Sequence, residues 1–240
     1  MRRILLLAAL LLAAAPGAQA ATVDDCRQDR DFDLAIRACT ELLADQRASP
    51  SQRAVLYTLR CIAYRRKADF DRAVADCDQA VGLAPLFTPA LTARAIAYLG
   101  RSQYDRALAD VSRVVTIQPG SASYNNRAWI LYKMGEMARA EQDVTKALEL
   151  NPSNGAALDT RAHVRATLGR KEAALEDFRR AMRVDPELTR LYQKSLKDRG
   201  FFKGEVDGRI TPELERALAA CVAEFPRCDP LPMDEQKPVS

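Results

Sequence analysis

The side chains able to do chemistry in this 240-residue chain are six cysteines, one histidine and many carboxylates. A hydrolase needs a nucleophile beside an oriented base, and a catalytic metal needs several converging ligands. His163 is the only histidine, and the chain has no glycine-rich phosphate loop of the Walker form. No pair of carboxylates is set apart by apolar neighbours. We therefore expect no catalytic residue, no metal site, no cofactor and no enzymatic activity.

Arginine and aspartate form a second set, in which each arginine is followed sixteen positions later by an aspartate. The planar guanidinium can bond a carboxylate twice in a fixed geometry. A row of anion-binding arginines is one interpretation, but ion pairs between the two helices of a hairpin are the favoured one. The predicted structural pairs are Arg60 with Asp76, Arg94 with Asp110, Arg127 with Asp143, and Arg161 with Asp177.

The elements that position these residues repeat with a period of about 34 residues. Prolines recur at 85, 119, 152 and 186, and alanines recur with the same intervals at 73, 107, 140 and 174. Each unit contains two apolar helical stripes joined by a turn with a small residue. The alanines are expected where two helix backbones approach closely. The seam between units is expected to be filled by Leu83, Ile117, Leu150 and Val184.

The third unit carries the pattern most completely, in Tyr124, Ala128, Leu131, Gly135, Ala140, Ala147 and Asn151-Pro152. With these residues the chain resembles the tetratricopeptide repeat family, whose helix–turn–helix units stack into a right-handed α-solenoid. The resemblance predicts an all-α fold with four units over residues 49–187. A shortened copy over residues 21–48 is expected to form an N-terminal half-repeat cap.

The resemblance also implies a concave groove lined by the first helix of each unit. Aromatic anchors beside polar side chains are typical of binding hot spots, so Trp129 and Tyr132 are expected to contribute most. Packing of Trp129 between helices is the alternative. The family's clamp for a terminal carboxylate is not reproduced, because Thr58 and Ile62 stand where it needs charge or amide. The implied groove residues are Thr58, Ile62, Arg65, Thr92, Ile96, Asn125, Trp129, Tyr132, Lys133, Asp159 and His163.

Residues 1–20 have the pattern of a secretory signal peptide. Two arginines precede an apolar run over residues 4–15, and small residues at 18 and 20 fit a signal peptidase site. The run is too short to span a bilayer, which takes about 20 residues. We expect cleavage after Ala20, a periplasmic or secreted bacterial protein, and no membrane span in the mature chain.

An oxidising compartment favours paired cysteines. Cys61 and Cys77 stand at equal height on the two helices of one hairpin, one position beyond the ion pair. Cys26 and Cys39 come level if the chain is extended at Cys26. A Cys39–Cys61 link and free, buried cysteines remain alternatives. The predicted disulfides are Cys26–Cys39, Cys61–Cys77 and Cys221–Cys228.

Residues 188–229 have the order helix, glycine turn, Asp-Gly turn, helix. In Gln193, Gly200, Phe201-Phe202 and Asp207-Gly208 they resemble the small peptidoglycan-binding-like domain of bacterial envelope proteins. The resemblance implies glycan contacts at Phe201, Phe202, Asp207 and Arg209, with a purely structural end cap as the alternative. Residues 230–240 are predicted to form a disordered tail.

The charges are nearly balanced, with 36 basic and 32 acidic residues that are interspersed, so no nucleic-acid partner is expected. These observations predict a non-catalytic periplasmic scaffold whose groove binds a segment of another envelope protein. Two alternatives remain open: a cell-wall-associated protein that binds peptidoglycan through its C-terminal unit, or an accessory subunit of a cell-wall enzyme.

Overall fold

The computed structural model describes residues 21–231, and every regular element in that range is a helix. The predicted signal peptide and residues 232–240 of the predicted tail lie outside this range. The helices are α1 (Val23–Arg27), α2 (Phe32–Ala44), α3 (Pro50–Arg66), α4 (Phe70–Leu83), α5 (Thr88–Gly100), α6 (Tyr104–Ile117), α7 (Ser121–Lys133), α8 (Met137–Leu150), α9 (Gly155–Thr167), α10 (Lys171–Val184), α11 (Pro186–Asp198) and α12 (Pro212–Ala223).

Helices α3 to α10 form four successive hairpins, and each hairpin packs against the next along the stack. Helices α1 and α2 pack on α3 and close the first end. At the other end α11 packs against α10, and α12 contacts both. The all-α solenoid of helix–turn–helix units predicted from the sequence is therefore confirmed.

The small residue in each turn takes a left-handed backbone conformation that ends the first helix of the unit. Ala68 and Ser102 have φ of 58° and 56°, and Gly135 and Gly169 have φ of 80° and 78°. In the first turn the amide of Asp69 donates to the carbonyl of Tyr64 at 2.9 Å, which satisfies a carbonyl at the helix end. The chain then reverses into the second helix.

The periodic alanines lie where predicted, since all four are 0% exposed. The predicted seam residues do not: Leu83, Ile117, Leu150 and Val184 are 39–50% exposed. Two positions along a helix turn a side chain by about 200°, so residues two positions earlier face the neighbouring unit instead. These buried seam residues are Val81, Val115, Leu148 and Met182.

All six cysteines are paired, as Cys26–Cys39, Cys61–Cys77 and Cys221–Cys228. These are the pairs that the sequence favoured, and the Cys39–Cys61 link is not formed. The extended chain expected at Cys26 is not observed, because Cys26 lies in the short helix α1. The Cα atoms of the three pairs are 4.9, 5.6 and 5.1 Å apart, within the range that disulfide geometry allows. Closing a loop of about 15 residues stabilises a fold by about 3 kcal/mol, which applies to the first two pairs.

Candidate protein-binding groove

The four predicted Arg–Asp pairs are formed, one in each repeat. In the first, Arg60 Nε and Nη2 donate to the two carboxylate oxygens of Asp76 at 2.7 and 2.8 Å. The same two-bond geometry recurs in the other three units. The aspartate side chains are at most 11% exposed. These arginines hold the two helices of a unit together and are not available to a ligand.

A groove is open on the first helices of units one to three, α3, α5 and α7, and it encloses a cavity of about 370 Å³. We call this cavity the open groove. Ile62 on α3 and Ile96 on α5 give it apolar walls, and Thr92 and Arg65 add polar groups. All four are among the groove residues that the resemblance implied.

Arg65 is a half-buried cation in the wall of the open groove. Its Nε is buried and has no hydrogen-bond partner. Burial lowers the pKa of Arg65 to about 10, the neighbouring Arg66 acts in the same direction, and no carboxylate opposes them. The side chain is therefore charged at neutral pH, yet it lacks the counter-charge that Arg60 has in Asp76.

Trp129 lies beneath the open groove and not in it. Its side chain is 8% exposed. Together with Ile96 and Ile130 it lines a recess of about 10 Å³ beside the groove. The indole Nε1 is buried without a hydrogen-bond partner. Trp129 is therefore not the exposed aromatic anchor that was expected. The alternative drawn from the sequence, packing of the ring between helices, is the one observed.

Thr58 and Asn125 occupy concave positions but are also buried, at 3% and 5% exposure. Thr58 Oγ1 donates to the carbonyl of Ala54 at 2.7 Å, within its own helix. Asn125 keeps one buried oxygen, Oδ1, without a hydrogen-bond partner. Neither side chain is presented to a ligand in the way the resemblance implied.

The concave face of the fourth unit is covered by residues 224–231, which we call the C-terminal segment. Asp229 Oδ1 lies 2.9 Å from Nε2 of His163. The ring of Phe225 meets the imidazole edge-on, with 6.4 Å between ring centroids. His163 and Leu231 are both 0% exposed. The sequence analysis placed the start of the disordered tail at residue 230, which is too early, because Pro230 and Leu231 are buried.

A buried polar network holds His163 from its other side. Nδ1 lies 2.8 Å from the main-chain oxygen of Asp159, and the Tyr192 hydroxyl donates to the carboxylate of Asp159. Both ring nitrogens of His163 thus face acceptors, which favours the imidazolium. Burial opposes the charged ring, but the carboxylates of Asp159 and Asp229 outweigh it and raise the pKa of His163 well above 6.5. Asp159 and His163 are groove residues by position but are closed off.

The attachment of the C-terminal segment is expected to depend on pH. Because the pKa of His163 is raised, its contribution is complete below about pH 6.5 and is lost as pH rises through the raised value. The pKa of Asp229 is lowered despite burial, because of its bond to His163. Its contribution is complete above about pH 4 and is lost as pH falls further. Amide exchange of residues 224–231, corrected for intrinsic rates, should show greatest protection between about pH 4 and 6.5.

His163→Gln serves as the control for that experiment, because an amide can donate to Asp229 without titrating in this range. Its protection profile should stay flat as the pH is raised above 6.5. Equal loss of protection in both proteins on the alkaline side would show that another group controls the segment.

Tyr132 and Lys133 lie between the open groove and the covered end, and both are half-buried. The Tyr132 hydroxyl accepts a hydrogen bond from Thr167 Oγ1 at 3.3 Å. Its ring centroid is 6.3 Å from that of His163. Tyr132 therefore contacts the buried network of the fourth unit as well as the concave surface.

The residues implied for glycan binding are used in the fold of the C-terminal unit. Phe202 is 3% exposed, belongs to the core, and lies directly over Gly204, while Phe201 packs against that core. Asp207 Oδ1 accepts from the amide of Arg209 at 2.9 Å and shapes the turn. Asp207 and Arg209 are exposed, Arg209 with 85% of its side chain. The aromatic platform that sugar binding would need is not present.

Two negative findings apply to residues 21–231. No cluster of three or more histidine, cysteine, aspartate or glutamate side chains could hold a metal ion there. Nor does any helix in this range have the length and apolar composition that crossing a bilayer requires.

Comparison with known sequence families matches the third and fourth units of the solenoid. One tetratricopeptide repeat family matches residues 121–154, and a second matches residues 156–188. These two stretches of the chain match the tetratricopeptide repeat. The first two units, α3 to α6, share the period, the left-handed turn residues and the ion pairs of these matched repeats.

Known proteins agree with this assignment over limited stretches. The chain is 35% identical over 80 residues to sperm-associated antigen 1 of Mus musculus, a match that spans 33% of this chain and 9% of that relative. MamA from Desulfovibrio magneticus RS-1 aligns with a TM-score of 0.55 at 20% identity, over 64% of this chain and 85% of that one. A tetratricopeptide repeat protein of Thermus thermophilus aligns at 0.56 and 17% identity, over 65% and 84%. Likeness at these identities shows the solenoid fold alone.

The covering of the fourth repeat by the C-terminal segment was missed by the sequence analysis. The contact joins His163 to Asp229, which are 66 residues apart, and it falls outside the repeat period. The available signal was the single histidine on a concave position together with apolar residues, such as Leu231, in a segment taken as tail.

Proposed function

We propose that this protein is a non-catalytic scaffold of the bacterial periplasm that holds a segment of another envelope protein in its open groove. The observation that carries the proposal is the cavity of about 370 Å³ on α3, α5 and α7, which combines apolar walls with the half-buried cation of Arg65. Tetratricopeptide repeats are protein-interaction scaffolds, and the concave surface is the place where their first helices present side chains.

The location outside the cytoplasm is supported by two independent features. Residues 1–20 have the composition of an export signal. All six cysteines lie in disulfide pairs, and such bonds persist in oxidising compartments.

The absence of catalysis is supported by the chemistry of the described residues. His163, the single histidine, is fully buried between Asp159 and Asp229. It has no accessible face for a substrate, and the serines have no other histidine as a base. A general base must come within hydrogen-bond reach of the proton that it removes.

Site-specific photocrosslinking tests the proposed function. A benzophenone side chain at Ile96, which is half-buried in the wall of the open groove, is expected to capture a discrete partner from an extract of the producing cells' envelope. The matched control is Ile117, an isoleucine that is 40% exposed and lies outside the groove. Equal yields of the same crosslinked product from both positions would show that the open groove is not the binding surface.

The peptidoglycan alternative is less well supported, because Phe201, Phe202 and Asp207 are occupied within the C-terminal unit. In a sedimentation assay with isolated cell-wall sacculi, the protein is expected to remain in the supernatant. Sedimentation that is abolished by Arg209→Ala would instead favour the wall-binding function. An accessory role beside a cell-wall enzyme would require the captured partner to be such an enzyme.

A further inference from the structure

Two sites on the concave surface indicate what kind of segment the open groove binds. This inference rests on the proposed function. The first is Arg65. The arginines that build the repeats each bond an aspartate, as Arg60 bonds Asp76. Arg65 is half-buried, and its Nε is buried without a hydrogen-bond partner. A partly desolvated guanidinium without a counter-charge is costly, so a carboxylate that reaches its outer nitrogens would gain more there than at a fully exposed arginine.

The surroundings of Arg65 define what lies beside that carboxylate. Ile62 is one helical turn before Arg65 on α3, and Ile96 faces them from α5 across the same cavity. Arg66 also lines the groove and adds positive charge. The site therefore offers a cation next to apolar walls, which fits an acidic residue flanked by aliphatic ones.

The second place is the covered end of the same concave face, where the chain binds its own segment. There Asp229 meets the imidazolium of His163 at 2.9 Å. The next two residues, Pro230 and Leu231, are buried. The concave face at α9 thus already binds a carboxylate next to a cationic side chain. Apolar residues that directly follow the carboxylate pack against the helices.

We propose that the open groove binds an extended segment in which an aspartate or glutamate is adjacent to aliphatic residues, with the carboxylate bonded to Arg65 and the aliphatic side chains against Ile62 and Ile96. The occupant has the same chemistry as Asp229-Pro230-Leu231. Arg65 acts as the specificity-determining residue of the groove, since its planar fork can bond the carboxylate twice.

A carboxylate can come from a side chain or from the end of a chain, and the probes separate the two sources. The experiment selects random decapeptides, displayed without a free C-terminus, on the full oxidised protein. Peptides are retained as groove ligands when Ile96→Lys abolishes their binding. Each retained peptide is then synthesised in an amidated form, in a form with Asp or Glu replaced by the matching amide, and in a form with a free C-terminal carboxylate.

The expected result is that retained peptides are enriched in Asp or Glu beside aliphatic residues. Exchange to Asn or Gln should weaken binding by about tenfold or more, the effect of one charge-assisted hydrogen bond. We call the affinity for the acidic peptide divided by that for its amide form the acid preference. Arg65→Gln should bring the acid preference close to one. Arg65→Lys should keep part of it, because lysine retains the charge but not the planar guanidinium that bonds a carboxylate twice. The matched control is Arg139→Gln, whose guanidinium pairs with Glu136 on the surface of α8 and should leave the acid preference unchanged.

The outcomes separate this inference from the proposed function. Retained peptides without acidic enrichment, or an acid preference that survives Arg65→Gln, would overturn the inference while leaving a peptide-binding groove. A preference seen only with free C-termini would also overturn it, in favour of end recognition. If no selected peptide depends on Ile96, the proposed function itself fails.

Discussion

Asp177→Ala is expected to lower the free energy of unfolding by about 3–5 kcal/mol, the cost of leaving buried charges without their partner. The carboxylate accepts from Arg161 Nε and Nη2 at 2.8 and 2.7 Å and from Arg165 Nη1 at 2.7 Å. Its side chain is 1% exposed. One substitution thus leaves two guanidinium groups unpaired beside the core. Urea unfolding followed by circular dichroism, with the denaturant slope compared, measures the change.

The control for Asp177 is an aspartate that makes an exposed ion pair. Asp78 bonds Arg94 Nη1 at 2.8 Å, but its side chain is 47% exposed. Asp78→Ala is therefore expected to cost no more than about 1 kcal/mol. Equal, small losses for both variants would mean that the repeated ion pairs do not stabilise the hairpins.

Trp129→Ala is expected to destabilise the protein by about 3–5 kcal/mol, the range for removing a buried large aromatic side chain. The ring is 8% exposed and packs beside Ile96 and Ile130. Truncation would open a cavity under the groove that the helices cannot fully close. The measurement is again the free energy of unfolding in urea, which for a two-state transition follows from the midpoint and slope.

Trp129→Phe is the matched comparison, because it keeps a ring in the site and removes the indole Nε1, which has no partner. Losing an unsatisfied donor offsets part of the lost packing, so the phenylalanine variant should be clearly more stable than the alanine variant. An alanine variant that keeps its stability and loses only ligand binding would return Trp129 to the role of exposed anchor.

Internal repetition explains why so much of the solenoid could be predicted. Four copies of one pattern give four observations of each position, and the ion pair of Arg60 and Asp76 could be inferred because its spacing recurs in every unit. The period alone did not identify the face of the helix. Leu83 and Val81 both recur with the same intervals, and only three-dimensional packing shows that Val81 is the buried one.

The candidate site was less predictable than the fold, because it depends on contacts that the repeated pattern does not contain. Ile62, Arg65 and Ile96 line the open groove because they occupy repeated concave positions. The burial of Trp129 depends on the side chains around it, and the covering of His163 depends on a segment from outside the repeats. A pattern within a unit carries no information about either contact.

The placement of the disulfides has a consequence for how the stack comes apart. In a linear array each unit is stabilised by its nearest neighbours, so the terminal units, with one neighbour only, fray first. Cys26–Cys39 and Cys61–Cys77 staple the first end, and Cys221–Cys228 staples the last, while α5 to α10 contain no cysteine. The disulfide bonds thus stabilise the two ends, where a solenoid is least stable. A thiol reductant would therefore destabilise the terminal units first and the central units afterwards.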